Sequence, residues 1–239
     1  MRALVGFTRI DPMAAGTEDD EIGGGVAPIY RSRPNWLPGV EIRGEGIFLE
    51  LDEAAVKKWE SKPEVQTRAS AIAQKFAQWE AERDNVAQSP FPGARYVLLH
   101  TLAHTLIRQL SLDCGYSASS VRERIYSNSD GERDMAGLLL YTASADSEGS
   151  LGGLVDLGSP NRFPDLFRGA LTAATRCSSD PLCADHQPDA HATINGAACH
   201  ACVLASETSC EGFNRFLDRN MLIATMATDS LAFFKLQDN

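Results

Sequence analysis

The stretch ARYVLLHTLAHTLIRQLSL, residues 94–112, is the part of the sequence that decides the fold. Apolar side chains occupy nearly every face of it, and a helix that is hydrophobic all round belongs in the interior of a protein. The preceding PFPG, residues 90–93, marks a break, because proline and glycine interrupt regular structure. The sequence therefore predicts a long, central and buried helix over 94–112.

Strand-like segments lie on both sides of this helix. VEIR (40–43) and IFLEL (47–51) are separated by a short glycine-containing link, which is a spacing typical of a β-hairpin. MAGLLLYTAS (135–144) is an apolar run suited to a buried strand. We predict that these strands contribute to a small mixed sheet that packs with the central helix.

Several further segments are predicted to be helical. SASSVRERIY (117–126) fits a short helix, since Ser120 and Glu123 have the spacing of a capping box. The other helices are predicted at four places: Asp52 to Trp59, from Pro63 onward, from near Pro164, and from Glu211 to Phe234. Strands and helices alternate along the chain without an internal repeat, which indicates an α+β fold.

The composition excludes several classes of protein. Hydrophobic residues at 44% and charged residues at 23% are ordinary for a globular domain and unlike collagen, coiled coils or disordered chains. The net charge of −10 argues against a broad basic surface that coats nucleic acid. Of the 22 basic residues, however, 17 are arginine, the side chain best suited to pairing with phosphates and bases, so a local contact with nucleic acid stays open.

The sequence predicts no membrane segment. The apolar run in MRALVGFTRIDP (1–12) ends before Arg9 and is too short for the hydrophobic part of a signal peptide. Nowhere does an apolar run approach the roughly 20 residues of a transmembrane helix. We therefore expect a reduced, cytoplasmic protein.

The cysteines indicate the chemistry most strongly. Five of the six fall within a 34-residue window: Cys177, Cys183, Cys199, Cys202 and Cys210. In the CHAC segment (199–202), two thiolates separated by two residues can chelate one ion from a single tight turn. Sulfur ligands favour Zn²⁺ over harder ions, so we predict a closed, structural zinc site in which five cysteines compete for four places.

Other interpretations of the cysteine cluster stay open. Three histidines in the same region are spare nitrogen ligands: His186, His191 and His200. The cysteines could instead act as small buried hydrophobic residues or as a redox pair. An iron–sulfur cluster is a further alternative, because it also takes thiolate ligands.

A polar face runs along the predicted central helix. Tyr96, His100, His104 and Arg108 are each four residues apart and so share one side of it. Three interpretations are open: core histidines that are hydrogen-bonded internally, a functional polar seam, and a second metal site. The metalloprotease pattern is unsupported, because it needs a glutamate directly after the first histidine and Thr101 stands there.

The glycine-rich loop SEGSLGG, residues 147–153, contributes Glu148, Gly149, Gly152 and Gly153 to the candidate seam. Glycine lets backbone N–H groups approach an anion closely, so the loop either packs against the helix, with Glu148 bonding the histidines, or contacts a ligand or nucleic acid. It is not a nucleotide-binding P-loop, since no Gly-Lys pair occurs anywhere in the chain.

Six segments keep an order that resembles the C-terminal zinc-binding domain of the DrmB family: RYVLLHTLAHTLIRQL, GYSASSVRERIY, LLYTASADSEGSLGGL, CSSDPLC, AACHAC and ETSCEGFNRFLDR. DrmB proteins are core components of the DISARM anti-phage system. A similar zinc-binding domain, MZB, ends the MrfA-type DNA-repair helicases. The resemblance covers most of the chain and is densest over residues 91–220.

This resemblance implies a cofactor, its ligands and a partner. The cofactor is zinc, and four ligands are favoured, with Cys177 as the fifth candidate: Cys183, Cys199, Cys202 and Cys210. The implied partner is a helicase subunit of the DrmA type, and DNA is bound through the complex with it. The chain is thereby predicted to be a non-enzymatic, zinc-binding accessory module of a helicase-containing anti-phage complex that handles DNA.

A hypothesis from a different class is a small hydrolase or nuclease that uses His100, His104 and Glu148. Candidate contacts with nucleic acid are four arginines on predicted helices: Arg122, Arg124, Arg215 and Arg219.

Three segments of one compact domain are predicted. They are residues 1–51, with N-terminal strands and loops, 52–176, an α/β core that carries the central helix 94–112, and 177–239, a cysteine-rich zinc module with a C-terminal helix. The expected architecture is thus a small mixed sheet packed with a central buried helix, plus a cysteine-rich zinc-binding subdomain.

Overall fold

The computed structural model describes residues 2–4, 6–7, 27–32, 35–41, 44–82, 90–115, 117–129, 131, 133–142, 153–189 and 193–236. Its helices are α1 (Glu53–Glu60), α2 (Pro63–Ala81), α3 (Ala94–Cys114), α4 (Gly153–Leu157), α5 (Phe163–Ala174) and α6 (Arg219–Leu222), and a 3₁₀ helix covers Pro181–Asp185. Its strands are β1 (Arg2–Ala3), β2 (Gly6–Phe7), β3 (Ala27–Pro28), β4 (Gly39–Val40), β5 (Gly46–Glu50), β6 (Val121–Tyr126) and β7 (Gly137–Thr142).

The predicted central helix is confirmed as α3, which runs from Ala94 to Cys114. Glycines flank it at both ends. Gly93 (φ 93°) and Gly115 (φ 69°) have positive φ angles that glycine adopts without strain. Most apolar side chains of α3 are fully buried, and the helix packs against β6, β7, α5 and α6. A helix apolar on all sides is thus covered on all sides, as its sequence requires.

A three-stranded sheet with the order β5–β7–β6 packs against α3, and both of its pairings are antiparallel. Leu138 and Leu140 of the middle strand are buried, whereas Phe48 of β5 is exposed on the outer face. The α+β class and the buried strand predicted in MAGLLLYTAS are confirmed, whereas the sheet predicted to be mixed is antiparallel.

The helix predicted over SASSVRERIY is wrong, because Val121–Tyr126 form strand β6. Side chains alternate along this strand, so that Glu123 and Ile125 are buried while Arg124 between them is exposed. A period of two residues is typical of a strand, and β-branched residues favour that conformation. The capping-box spacing of Ser120 and Glu123 favours a helix locally, but the pairing of this segment with β7 outweighs that preference.

The hairpin predicted between VEIR and IFLEL is also wrong. Val40 pairs with Arg2, whereas Gly46–Glu50 pair with β7. The predicted turn at Gly44 and Gly46 does not form, because the residues from Gly46 onward pair with β7 and not with VEIR. An added Cβ on Gly44 would overlap the carbonyl oxygen of Thr142, so this link follows the neighbouring strand at the closest approach that glycine allows.

The C-terminal helix predicted over 211–234 is wrong, since α6 covers only Arg219–Leu222. Phe213, Asn214 and Phe216 have φ angles of 53°, 56° and 62°, a left-handed conformation that no right-handed helix contains. The Asn214 side chain also bonds to the backbone of a preceding loop, and such bonds compete with helix formation.

The other predicted helices are confirmed. Asp52 caps α1 by accepting a hydrogen bond from the Ala55 N–H at 2.7 Å, and Pro63 and Pro164 stand in the first turns of α2 and α5. In the part of the chain that the structure describes, no helix combines the length and hydrophobicity needed to span a bilayer. The division into three segments stays a prediction.

Arg95, in the first turn of α3, is a sensitive point of this core. Its side chain is only 2% exposed, and its guanidinium donates to the carboxylates of Glu53 (2.7 Å) and Glu60 (2.8 Å). The substitution Arg95→Met removes the cation that these two half-buried carboxylates share. We expect the free energy of unfolding to fall by about 3 kcal/mol, as when one partner of a buried ion pair is removed.

Urea denaturation followed by circular dichroism measures this effect. Arg168→Met is the matched control, because Arg168 pairs with Asp165 where both side chains are mostly exposed, and such a pair contributes less than about 1 kcal/mol. Equal losses in the two variants would contradict a role for Arg95 in the core.

Candidate metal centre

Four of the five clustered cysteines come together and are called the cysteine quartet: Cys177, Cys183, Cys199 and Cys202. Cys177 follows α5, Cys183 lies in the 3₁₀ helix, and the other two flank the CHAC turn. The Sγ–Sγ distances are 3.5 Å for Cys177–Cys199, 3.7 Å for Cys183–Cys202 and 3.5 Å for Cys199–Cys202. All four sulfurs lie within 4.8 Å of one another.

This spacing fits one tetrahedral zinc ion. With Zn–S bonds of about 2.3 Å, the sulfurs of a four-cysteine site lie about 3.8 Å apart. The measured separations of 3.5 to 3.7 Å match that edge length and far exceed a disulfide bond of about 2.05 Å. An all-sulfur donor set suits zinc, and four protein ligands complete the tetrahedron, so the centre is of the closed, structural type.

The four thiols differ in how readily they lose a proton. Although burial has the opposite effect, the backbone N–H groups of Ser179 and Asp180 lower the pKa of the Cys177 thiol to about 7. Burial raises the pKa of the Cys183 and Cys202 thiols. Because cysteines bind metal as thiolates, zinc binding at the quartet must displace protons.

Arg219 supports the quartet from the interior. Its guanidinium donates to Cys183 Sγ (3.4 Å) and to the carbonyl oxygens of Ala174 (2.7 Å) and Ala197 (3.2 Å). Its positive charge offsets part of the excess negative charge that four thiolates leave around one Zn²⁺ ion. The prediction that Arg219 contacts nucleic acid is corrected, because this fully buried side chain offers no surface.

The other candidate arginines have different surroundings. Arg122 and Arg124 lie on strand β6 and not on a helix, and residues two apart on a strand share a face. Arg124 is 46% exposed and pairs with Glu211 at 3.2 Å. Arg215 lies over the Trp79 ring, 5.1 Å from its centroid. A contact of Arg122, Arg124 or Arg215 with nucleic acid stays a prediction.

Tyr96 and Arg108, at the two ends of the predicted polar face of α3, make different contacts. Tyr96 packs against His100, with 5.1 Å between the ring centroids. One helical turn beyond His104, Arg108 donates to the carbonyl oxygens of Ala201 (2.7 Å) and His200 (3.4 Å). Arg108 therefore clamps the CHAC turn onto the central helix.

Four predicted seam residues belong to the glycine-rich loop. Glu148, Gly149 and Gly152 lie outside the described residues, and Gly153 is the first residue of α4. Among the described residues, the carboxylate that both histidines of α3 contact is that of Glu123.

The resemblance favours Cys210 over Cys177 as the fourth ligand, and this choice is corrected, because Cys177 completes the quartet and Cys210 does not join it. Cys210 lies with His100, His104 and Glu123 in a second group, whose donor atoms are also within 4.8 Å of one another and whose members are all buried. Sequence reasoning misses Glu123, because it assigns that residue to a helix cap. The sequence signal that could reveal Glu123 is the alternation of side chains in VRERIY. In a strand, this alternation places the Glu123 carboxylate on the buried face, where it needs a partner.

Comparison with known proteins identifies the domain that carries the quartet. The MrfA Zn-binding domain, MZB, matches residues 102–203, a span that contains all four quartet cysteines and ends before Cys210. Residues 102–203 are thus similar to the MZB family. The zinc-binding domain that the sequence resembles is thereby confirmed, and zinc is confirmed as its cofactor.

The similarity extends beyond the MZB domain. The chain is 45% identical to the DISARM protein DrmB of Bacillus paralicheniformis over 202 residues. That alignment covers 84% of this chain and 35% of the relative, so the chain spans 35% of the length of the DrmB protein that it matches. The resemblance drawn from six ordered segments is confirmed.

Proposed function

We propose that this chain is a zinc-stabilised accessory module of an anti-phage complex of the DISARM type. The observation that carries the proposal is the 45% identity to the DISARM protein DrmB over 84% of the chain. The module works beside a helicase subunit of the DrmA type in the cytoplasm, where the complex handles phage DNA. ATP-driven work is assigned to the partner, since this sequence has no Gly-Lys pair for a P-loop.

In this proposal the zinc is structural and the cysteine quartet holds it. Between Cys177 and Leu222 the described regular structure is limited to a 3₁₀ helix and the four residues of α6. Such a segment obtains little support from regular backbone hydrogen bonds. The ion ties the end of α5, the 3₁₀ helix and the CHAC turn together, and Arg108 ties that turn to α3. The zinc module thus presents a fixed surface to its partner.

We assign the contact with single-stranded DNA to the outer face of the sheet. Phe48 is 57% exposed there and stands in one row with Arg124, since both pair with Leu139. Arg122 and Tyr126 lie on the same side of β6, and the Tyr126 ring contacts the Phe48 ring edge-on at 5.9 Å. Exposed aromatic rings beside arginines bind single strands by base stacking and phosphate pairing.

The hypothesis of a hydrolase or nuclease centred on His100, His104 and Glu148 has less support. Both imidazoles have no solvent exposure. A general base must come within hydrogen-bonding reach of its substrate, and neither ring is open to one. Because no observation on the described residues favours this chemistry, we do not propose it.

Co-purification and DNA titration test the proposed function. The chain is expressed with a helicase subunit of the DrmA type, and we expect the two to purify together. The complex is expected to bind single-stranded DNA more tightly than either protein alone, with an affinity that falls steeply between about 50 and 200 mM salt because phosphate contacts release counterions. Failure to co-purify would contradict the accessory role, and equal affinities for helicase and complex would contradict the DNA contact.

Two variants of the complex locate the DNA surface. Phe48→Ala removes one stacking ring and is expected to weaken DNA binding by about 5- to 150-fold, the effect of losing one base–aromatic contact. Leu112→Ala is the matched control, because Leu112 is also exposed, at 78%, but belongs to α3 and not to the sheet. Equal effects of the two substitutions would contradict the assignment of the DNA contact to the outer face of the sheet.

A further inference from the structure

Four buried side chains form a donor cluster that is separate from the cysteine quartet: His100, His104, Glu123 and Cys210. Two come from α3, one from β6, and one from the loop that precedes α6. His100 and His104 have no solvent exposure, Glu123 has 3% and Cys210 has 6%. Zinc binding by the quartet does not explain why these four polar residues are buried together.

The donor atoms of this cluster point at one another. His100 Nε2 lies 3.0 Å from Glu123 Oε1 and 3.1 Å from Cys210 Sγ, and His104 Nε2 lies 3.3 Å from the same Oε1. In a tetrahedral zinc site with bonds of about 2.0 to 2.3 Å, ligand atoms are about 3.3 to 3.7 Å apart. The measured spacing is close to that of such a site.

A hydrogen bond to a residue outside the cluster orients the His104 ring. His104 Nδ1 lies 3.0 Å from the carbonyl oxygen of Val203. A carbonyl can only accept, so Nδ1 carries a proton, and Nε2 is the ring nitrogen that faces the Glu123 carboxylate. A cation between Nε2 and the carboxylate, either a proton or a metal ion, satisfies both groups. A histidine bonded to a backbone carbonyl through its other nitrogen is the usual arrangement of a metal ligand.

The carboxylate and the thiol of the cluster each accept a backbone hydrogen bond from the same loop. The backbone N–H of Asn214 donates to Cys210 Sγ at 3.1 Å, and that of Glu211 donates to Glu123 Oε1 at 3.3 Å. The cluster nevertheless leaves His100 Nδ1 and Glu123 Oε2 buried without a hydrogen-bond partner. Hydrogen bonds alone therefore do not satisfy it, whereas a metal ion can take the free carboxylate oxygen.

The charges of the cluster balance a divalent cation. One thiolate, one carboxylate and two neutral imidazoles neutralise M²⁺ completely, and a buried ionic group is tolerated only when its charge is compensated. Zinc accepts nitrogen, oxygen and sulfur ligands at one centre, so the mixed donor set suits it.

A catalytic Cys–His–Glu triad is the competing interpretation, and the geometry disfavours it. In such a triad the nucleophile and the carboxylate contact opposite nitrogens of the histidine. Here Cys210 and Glu123 both contact Nε2 of His100, and its Nδ1 has no partner. Convergence on a single nitrogen is what ligands around one ion produce.

We propose that His100, His104, Glu123 and Cys210 form a second zinc site, which pins strand β6 and the loop around Cys210 to the central helix. Four protein donors close the site, so its ion is structural. It goes beyond the quartet assignment, since it uses none of those cysteines and two of its ligands, His100 and Cys210, lie outside the MZB match.

Metal analysis of the full-length, reduced chain tests this proposal. We expect two zinc ions per chain in the wild type and one in Glu123→Gln and in His104→Gln, with both variants checked for folding by circular dichroism. Cobalt substitution gives a second readout. The absorption bands of a four-sulfur Co²⁺ centre should persist in both variants, while the contribution of a centre with a single sulfur disappears.

Cys210→Ser and Cys114→Ser form the matched pair of thiol variants, because Cys114 lies far along the sequence from the five clustered cysteines of 177–210. The first is expected to lose one zinc ion per chain and the second none. One zinc ion per chain in the wild type would overturn the proposal, and so would two ions retained in all three cluster variants. The wild-type count alone decides the matter if a variant does not fold.

Discussion

Serine in place of Cys202 is expected to release zinc from the cysteine quartet and to unfold the segment 177–222. Zinc binding to a structural site of this type contributes about 10 to 16 kcal/mol of apparent free energy near neutral pH, as much as the whole stability of a typical domain. The described regular structure of the segment is limited to a 3₁₀ helix and α6, so regular backbone hydrogen bonds contribute little to its stability. We therefore expect loss of structure and not merely weaker binding to a partner.

Limited proteolysis with zinc analysis measures the effect of Cys202→Ser. New cleavage sites should lie within 177–222, whereas α3 and the three-stranded sheet, which share the hydrophobic core, should stay protected. Cys114→Ser changes the same atom at the end of α3 and should leave zinc content and protease resistance unchanged. Full zinc content in Cys202→Ser would show that the quartet is not the zinc site of the MZB domain.

A large loss of stability is also expected from Asp218→Ala. Asp218 is fully buried, and its Oδ2 accepts a hydrogen bond from Arg68 Nε at 2.7 Å. Its Oδ1 accepts from the backbone N–H groups of Ala197 (3.1 Å) and Asn220 (3.0 Å). The substitution leaves Arg68 buried without a counter-charge and two N–H groups without an acceptor, so the free energy of unfolding should fall by about 3 to 5 kcal/mol.

A double-variant cycle separates the loss of the ion pair from the loss of the two backbone hydrogen bonds to Asp218. Arg68→Met combined with Asp218→Ala should lose less than the sum of the single variants, because the cation left unpaired by Asp218→Ala is then also gone. Asp156→Ala is the control, since Asp156 and Arg162 pair with more than half of each side chain exposed and should change stability by less than about 1 kcal/mol. Urea denaturation measures all four variants, and simple additivity would exclude the coupling.

The pattern of apolar residues predicts the local structure correctly where it extends over a long segment. The run over 94–112 is apolar on nearly every face and is too long for a strand, so a buried helix α3 follows from the sequence directly. The six residues of VRERIY are too few to separate a helical from a strand period. The partner strand β7 decides between them, because its edge offers hydrogen bonds to an extended chain along the whole of β6.

The C-terminal region shows how long-range contacts override a local pattern. Its apolar residues occur at helical spacing, but Asn214 bonds to the backbone of the loop at Ala205, and Phe233 and Phe234 donate backbone hydrogen bonds to the α6 region. These bonds join residues that are distant in sequence, and a local window does not contain their partners. The predicted continuous helix therefore gives way to one short helix and a set of turns.

The sequence by itself determined that this chain carries a zinc domain, because the CHAC chelate and the ordered cysteine segments are local features of the chain. Only the tertiary structure decided that Cys177 completes the quartet and that Cys210 lies with the histidines of α3. Cysteine spacing cannot decide this, since Cys177 and Cys199 are separated by 22 positions along the chain and by 3.5 Å between their sulfurs. The packing of α5, the 3₁₀ helix and β6 around α3 sets those distances, and that packing depends on the whole core.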